Sequence, residues 1–444
     1  MAASIGFSNE TTTRDRMLTD AARALSIGAA LHAFFALGVL LVSILPSLGI
    51  GAGLPEVLQS AFLFNASVPA PTATAIIILL SLVATSGLLV TMVGVLAREL
   101  WALPLLAVGI GVGALLLVGL GFTPILISIG ACLMAVARIA RDLNAFRVNP
   151  VMMKELRGRM RGFRAFGVLT IYLSLMGGIA LLLYLIYGSV VRATGSAAAG
   201  EIGRVLFFGI IGIELLLILF IAPAFTAGAI TGERERQTYD LLQTTLLAKA
   251  TFVIGKLESA LAYIILLLLS GIPLQSLAFL FGGVSEGEIA IALAILVATA
   301  ILFGTVGMYF SAALDRTLLA SARAYGVVLG AVFVAPVVIN ILMNVASDLI
   351  FTRQNVPMPP VIETLFQYLS LLLTSVNPLA AGIGTQVLLV NQNVIGFYTY
   401  TLASNGATIP MVSPWILLLV IYLSASAALI TLTIRKASRE EENA

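Results

Sequence analysis

The chain has 444 residues, of which 60% are hydrophobic and 10% charged, with 24 Lys and Arg, 21 Asp and Glu and one histidine. Soluble domains carry about 25% charged residues, so this composition and a mean hydropathy of +1.09 exclude an ordinary soluble fold and indicate an all-α polytopic membrane protein. The single cysteine, Cys132, excludes an intrachain disulfide, and the sequence offers no His/Cys cluster to bind zinc.

Residues 1–23 are polar and mix Arg14, Asp15, Arg16 and Asp20. A signal peptide has a short basic start followed at once by an apolar run, so these residues are expected to form a short, flexible cytoplasmic tail. Crossing a bilayer takes about 20 apolar residues. Runs of that kind lie near 24–50, 74–97, 101–120, 122–139, 166–187, 205–230, 257–281, 289–313, 324–345 and 415–434, which makes ten expected spans. Four form an N-terminal membrane region, 24–143, and six follow within 166–435, ahead of a cytoplasmic tail at 436–444.

Ten crossings place both ends on one side. All the Lys and Arg except Arg192, Arg204 and Arg353 then fall on the side of the N-terminus, which the positive-inside rule assigns to the cytoplasm of an inner membrane. The turn between 101–120 and 122–139 rests on Gly119, Gly121 and Pro124. His32, inside the first span, is expected to hydrogen-bond a neighbouring helix rather than relay protons. Trp101 and Trp415 sit at expected interfaces as belt anchors.

A break follows at 144–150, where Asn149 can cap a helix that has Pro150 at its first position. In that helix Met152, Leu156, Met160 and Phe163 share one face, and Lys154, Arg157, Arg161 and Arg164 the other. Among the charges from Arg147 to Arg164, Glu155 is the one acid against six basic residues. Residues 144–165 therefore read either as a helix lying flat on anionic lipid or as a basic anchor that fixes orientation.

In the middle of a later span stands Glu214. Ionised in lipid it is costly, so it must face a helix partner or a water-filled route. It either lines a pathway or dimer seam, or takes a structural hydrogen bond from a Ser, Thr or Tyr.

Between two apolar spans lies the charged segment 232–256, GERERQTYDLLQTTLLAKATFVIGK. Its Glu233, Arg234, Glu235, Arg236, Asp240, Lys249 and Lys256 require water. Tyr239, Leu242 and Leu246 form a narrow apolar stripe at i, i+3 and i+7, suited to docking on another protein. Glu233, Glu235, Thr238, Asp240, Leu241 and Leu242, then Thr245 and Gly255-Lys256-Leu257, resemble the coupling-helix region of ABC-2-type permeases, the membrane subunits of ATP-binding-cassette exporters. At two places the chain departs from that pattern: the family's Gly before the Thr is Gln237, and its Thr-Pro-Leu-Ser reads Thr245, Leu246, Leu247, Ala248.

The resemblance covers the chain from about Asn149 onward. It implies a six-helix permease core opened by an elbow helix at 144–165 and preceded here by four additional helices. It also implies a separate ATPase subunit and a second permease copy or paralogue as partners, beside membrane lipids and without nucleic acid. The chain has no Gly-x-x-x-x-Gly-Lys-Ser/Thr loop, so no cofactor is expected in it, and ATP and Mg2+ are expected in the ATPase.

Residues 348–414 hold apolar helices at 361–374 and 378–390, led in by Pro357, Pro359 and Pro360 and separated at Asn377-Pro378. Too short to span, they read as re-entrant or interfacial outer helices, or else as an extra transmembrane hairpin. Two other functions remain open: an ion-coupled secondary transporter, which asks for paired intramembrane carboxylates and repeated halves, and a non-transporting scaffold for which 232–256 is a partner-binding loop. Cargo is not legible from such residues.

Overall fold

A computed structural model describes residues 2–48, 51, 53–161, 163–194, 199–239, 248–348 and 358–442. The chain is an all-α polytopic membrane protein. Among the described residues nine helices are long and apolar enough to cross a membrane, and a tenth crossing is reached if one bent pair counts as a span. The chain divides into two compact units: residues 1–149, 336–376 and 387–431 form the first, and residues 150–335, 377–386 and 432–444 the second.

The first unit is built on α1 (Ala2–Ile44), α2 (Leu54–Phe62), α3 (Ala70–Ala97), α4 (Ala102–Leu120) and α5 (Ile125–Ile139). Where a flexible tail was expected at 1–23, the backbone from Ala2 is instead helical and continuous with the first span. The cause is an inward stripe that begins before the span does: Leu18, Ala21, Ala22, Leu25 and Ala29 are all buried at helical spacing. Asp20 adds an ion pair to Arg138 of α5 at 3.0 Å.

Arg98 at φ 60° closes α3 by donating its N–H to the Gly94 and Val95 carbonyls, and Gly121 at φ 69° closes α4. The expected span 122–139 is shorter than foreseen. Phe122 to Pro124 belong to the turn after Gly121, which leaves a 15-residue α5 continued by a 3-10 segment, Ala140–Ala145. His32 bonds Ser128 of α5 at 2.8 Å, so the lone histidine joins two helices. Trp101 packs its ring against Gly94 of α3, where a Cβ would come within 2.6 Å of it.

The second unit begins at Pro150 with α6 (Pro150–Met160). It continues through α7 (Phe163–Thr194), α8 (Ala199–Ala227), α9 (Thr231–Glu235), α10 (Lys249–Leu280), α11 (Glu286–Ala313) and α12 (Thr317–Leu329), the last extended by a π-helical turn, Gly330–Val334. Its core joins Leu215, Leu219 and Ala222 of α8 to Leu268 of α10, Phe303 of α11 and Val328 of α12. Lipid tails are as apolar as leucine, so close van der Waals contact rather than apolar burial drives such packing. Gly307 provides it, with the Pro223 backbone and Thr226 of α8 where a side chain would stand. Ser285 and Glu288 start α11 with a reciprocal capping box.

Helices α13 (Ala335–Ser347), α14 (Pro360–Val376), α15 (Pro378–Gln392) and α16 (Pro414–Glu442) complete the chain. The short helices expected at 361–374 and 378–390 are α14 and α15, bent by 117° at the break between them. Asn377 makes that break: its Oδ1 accepts the N–H of Leu379 and Ala380, and its amide donates to the Val332 carbonyl at 2.6 Å.

Unforeseen is an antiparallel hairpin, β1 (Phe397–Thr401) with β2 (Thr408–Val412), in which Phe397 faces Val412 and Thr401 faces Thr408. Its signals were present in the sequence: the aromatic and β-branched run Phe-Tyr-Thr-Tyr-Thr, then Asn405-Gly406, with Gly406 at φ 71°. Glu363 of α14 holds the loop by accepting the N–H of Ala403 at 2.7 Å and of Ser404 at 3.0 Å.

Candidate functional site

The site grows from the end of α8. Three residues turn the chain into α9, and the N–H groups of Ile230 and Thr231 are satisfied by Ser311 Oγ of α11 at 2.9 and 3.1 Å. Thr231 keeps its own hydroxyl on the Ala227 carbonyl. A five-residue helix has too few internal hydrogen bonds to stand alone. Its side chains show what holds it.

Glu233 accepts hydrogen bonds from Lys256 Nζ at 2.6 Å and from the Thr238 hydroxyl. Lys256, 5% exposed near the start of α10, also reaches Glu155 of α6 at 3.2 Å and lies over the Phe252 ring. One buried ammonium thus bridges two carboxylates from two other elements. Burial opposes the Glu233 charge, but the hydrogen bonds from Lys256 and Thr238, with the positive charges of Lys256 and Arg236, outweigh it and hold the carboxyl below its ordinary value.

Arg234 points the other way. Its guanidinium donates to the Leu314 carbonyl at 3.0 Å, the Ala312 carbonyl at 3.3 Å and Asp315 at 3.3 Å, and it lies 5.2 Å from the Tyr239 ring centre. The last carbonyls of α11 thereby gain a cation, as a helix C-terminus favours. Glu235 accepts the Thr317 N–H at 2.7 Å and its hydroxyl at 2.9 Å, which places an anion on the first turn of α12. Those two hydrogen bonds, the backbone one first, hold the Glu235 carboxyl low. Consecutive side chains of α9 therefore tie it to α10, α11 and α12, and through Lys256 to α6, while its backbone continues from α8.

After α9 the backbone turns at Gln237, at φ 57°. Left-handed backbone is the conformation that Gly adopts without cost and other residues only at some strain. Arg236 and Gln237 are exposed. Tyr239 is buried instead, its ring 6.3 Å from that of Phe252. Asp240, Leu241, Leu242, Thr245 and Leu246 lie outside the described residues.

The helix expected over 144–165 is shorter: α6 ends at Met160, and Phe163 already opens α7. Lys154, Arg157 and the apolar Met160 are exposed on α6, as are Arg161 just past its end and Phe163, the latter at 89%. Arg164 lies in the first turn of α7. Two inward residues were not foreseen: Glu155, on Lys256, and Arg159, which donates to the Phe225 carbonyl and lies 5.2 Å from the Phe225 ring centre. Desolvation lowers the Arg159 pKa, and the charge of Glu155 works against that. The four-residue spacing of Glu155 and Arg159 was the available signal.

Glu214 is fully buried in α8. Gln275 of α10 donates to its Oε2 at 2.7 Å and Tyr172 of α7 to its Oε1 at 3.3 Å, while Gly271 leaves room for the carboxyl head. It meets a tyrosine, as one of its two readings expects, and a glutamine besides. Compared with known proteins, the chain matches no family model and no curated protein.

Proposed function

We propose that the chain is the membrane subunit of an ABC-2-type exporter, in which a separate ATPase grips the 232–256 segment from the cytoplasm. The observation that carries this reading is the way α9 is held. Glu233, Arg234 and Glu235 join it to α10, α11 and α12, and through Lys256 to α6, so a push on the exposed Arg236 and Gln237 moves the ends of several spans together. A loop that merely connected two spans has no need of such ties.

In this mechanism, nucleotide-driven closure of two ATPase copies displaces two such levers and re-packs the space between two permease copies. Arg236 and the stripe from Leu242 to Leu246 supply contacts to the ATPase, whereas Glu233 and Glu235 transmit force inward. Tyr239 braces the lever against Phe252. The basic face of α6, with Met160 and Phe163 beside it, rests on the lipid surface. In this reading the membrane is the cytoplasmic one, with both termini inside.

Sidedness tests the proposal. Cys132 is the only cysteine, so a Cys132→Ala background carrying Arg236→Cys gives one labelling site. An impermeant maleimide should label it only after sealed cells are opened. Labelling of intact cells would place the segment outside and remove the ATPase from the scheme.

A further inference from the structure

Between α3, α4 and α5, with Leu423 of α16 also on its wall, the first unit holds a cavity of about 400 Å³. It follows the middle of two spans, Leu80 to Thr91 of α3 and Leu105 to Leu116 of α4. That is a length of ~16 Å at 1.5 Å per residue, roughly half of a ~30 Å hydrocarbon core. The α5 helix forms its floor with Ser128 and Cys132.

The hydroxyls on its walls are already engaged. Ser86 donates to the Val83 carbonyl at 2.9 Å, Thr91 to the Gly87 carbonyl at 2.7 Å, and Ser128 pairs with His32 at 2.8 Å. Among the described residues, no charged one lines the space. A polar ligand would find its own groups unsatisfied there, so an apolar one is favoured.

Position gives the source. Val83, Val108 and Val112 line the cavity and are 44%, 55% and 47% exposed on helices that qualify as spans. The mouth therefore opens sideways into hydrocarbon. Length argues against a partner helix: a crossing helix packs along ~30 Å of hydrocarbon, whereas this cavity follows its walls for only ~16 Å. Gly87 keeps the space open, since a Cβ added there meets nothing within 4 Å.

We infer that this cavity is a binding site for one acyl chain of a membrane lipid, entering from the bilayer between α3 and α4. The site is independent of the proposed transport role, because none of its walls belongs to the second unit.

The test uses the full chain in nanodiscs of phosphatidylethanolamine and phosphatidylglycerol, doped with a phospholipid that carries a diazirine midway along one acyl chain. After irradiation, adducts are mapped by peptide mass spectrometry. Residues 80–91 and 105–116 should be labelled several-fold more than the exposed face of α7, because a concave site retains its ligand where the open surface does not. Gly87→Leu should reduce the excess to the α7 level, and Gly87→Ala should leave it. Val83→Phe, at the mouth, reads the same effect should Gly87→Leu fail to fold. Labelling no greater than on α7, an excess that survives the filling variant, or crosslinks to a second protein instead of lipid would each overturn the assignment.

Discussion

Lys256 Nζ stands 2.6 Å from Glu233 Oε1, across 23 residues of sequence, and the same nitrogen lies 3.2 Å from Glu155 of α6. A cation with 7% of its side chain exposed is held between two anions that retain 23% and 27% exposure. The arrangement is asymmetric in what its loss would do. Without Lys256 two carboxylates face each other, whereas without either Glu the ammonium keeps a partner.

Lys256→Met should therefore destabilise the second unit by about 3 kcal/mol, the lower end for breaking a buried pair, because both carboxylates keep some water. Glu155→Gln alone should cost about 1 kcal/mol or less. Thermal unfolding in detergent ranks the variants, and equal losses would show that the three groups do not act together.

The depressed pKa of Glu233 gives a pH test. A carboxyl held below its ordinary value adds stability that is fully present above the unfolded value near 4.5 and disappears as pH falls through the lower folded value. Wild type and Glu233→Gln should thus differ at neutral pH and converge in acid. A gap that widens in acid would mean the sign is wrong.

Gln237 adopts a left-handed backbone without being Gly. Gln237→Gly should stabilise by about 1 kcal/mol, and Gln237→Val, with a β-branched side chain at positive φ, should destabilise by at least as much. Melting temperatures of the two variants on the same side of wild type would contradict the turn.

Gly271→Ala would be expected to strengthen a helix by about 1 kcal/mol on propensity alone. Here the added methyl meets Glu214 Oε1 and crowds the Tyr172 hydroxyl, so a loss of about 1–3 kcal/mol is predicted. Glu214→Ala in the same chain should recover part of that loss. Additive losses would show that the two residues do not touch.

Much of the fold was legible because bilayer crossing writes a long, local signal: the apolar runs, the break at Asn149-Pro150 and the pair of short helices around Asn377 could all be read directly. The 15-residue α5 was misjudged because Phe122 and Thr123 are apolar enough to extend a run yet fold into the turn after Gly121. The N-terminal helix was missed because charge on its outer face masked Leu18, Ala21 and Ala22. The site was half legible. Its charges were found, but their partners Ser311, Asp315 and Thr317 lie about 80 residues away, and no local pattern reports such pairings. The same distance hid that Tyr239 faces inward, on Phe252.

Whether a separate ATPase grips the segment is measured most directly by purifying the tagged chain from its native membranes and quantifying what accompanies it. Wild type should bring down a Walker-motif ATPase in near-equal amount, and Arg236→Glu with Leu242→Asp should lose it while the chain still inserts and melts normally. An unchanged yield of ATPase with that double variant, or no ATPase with wild type, would contradict the lever.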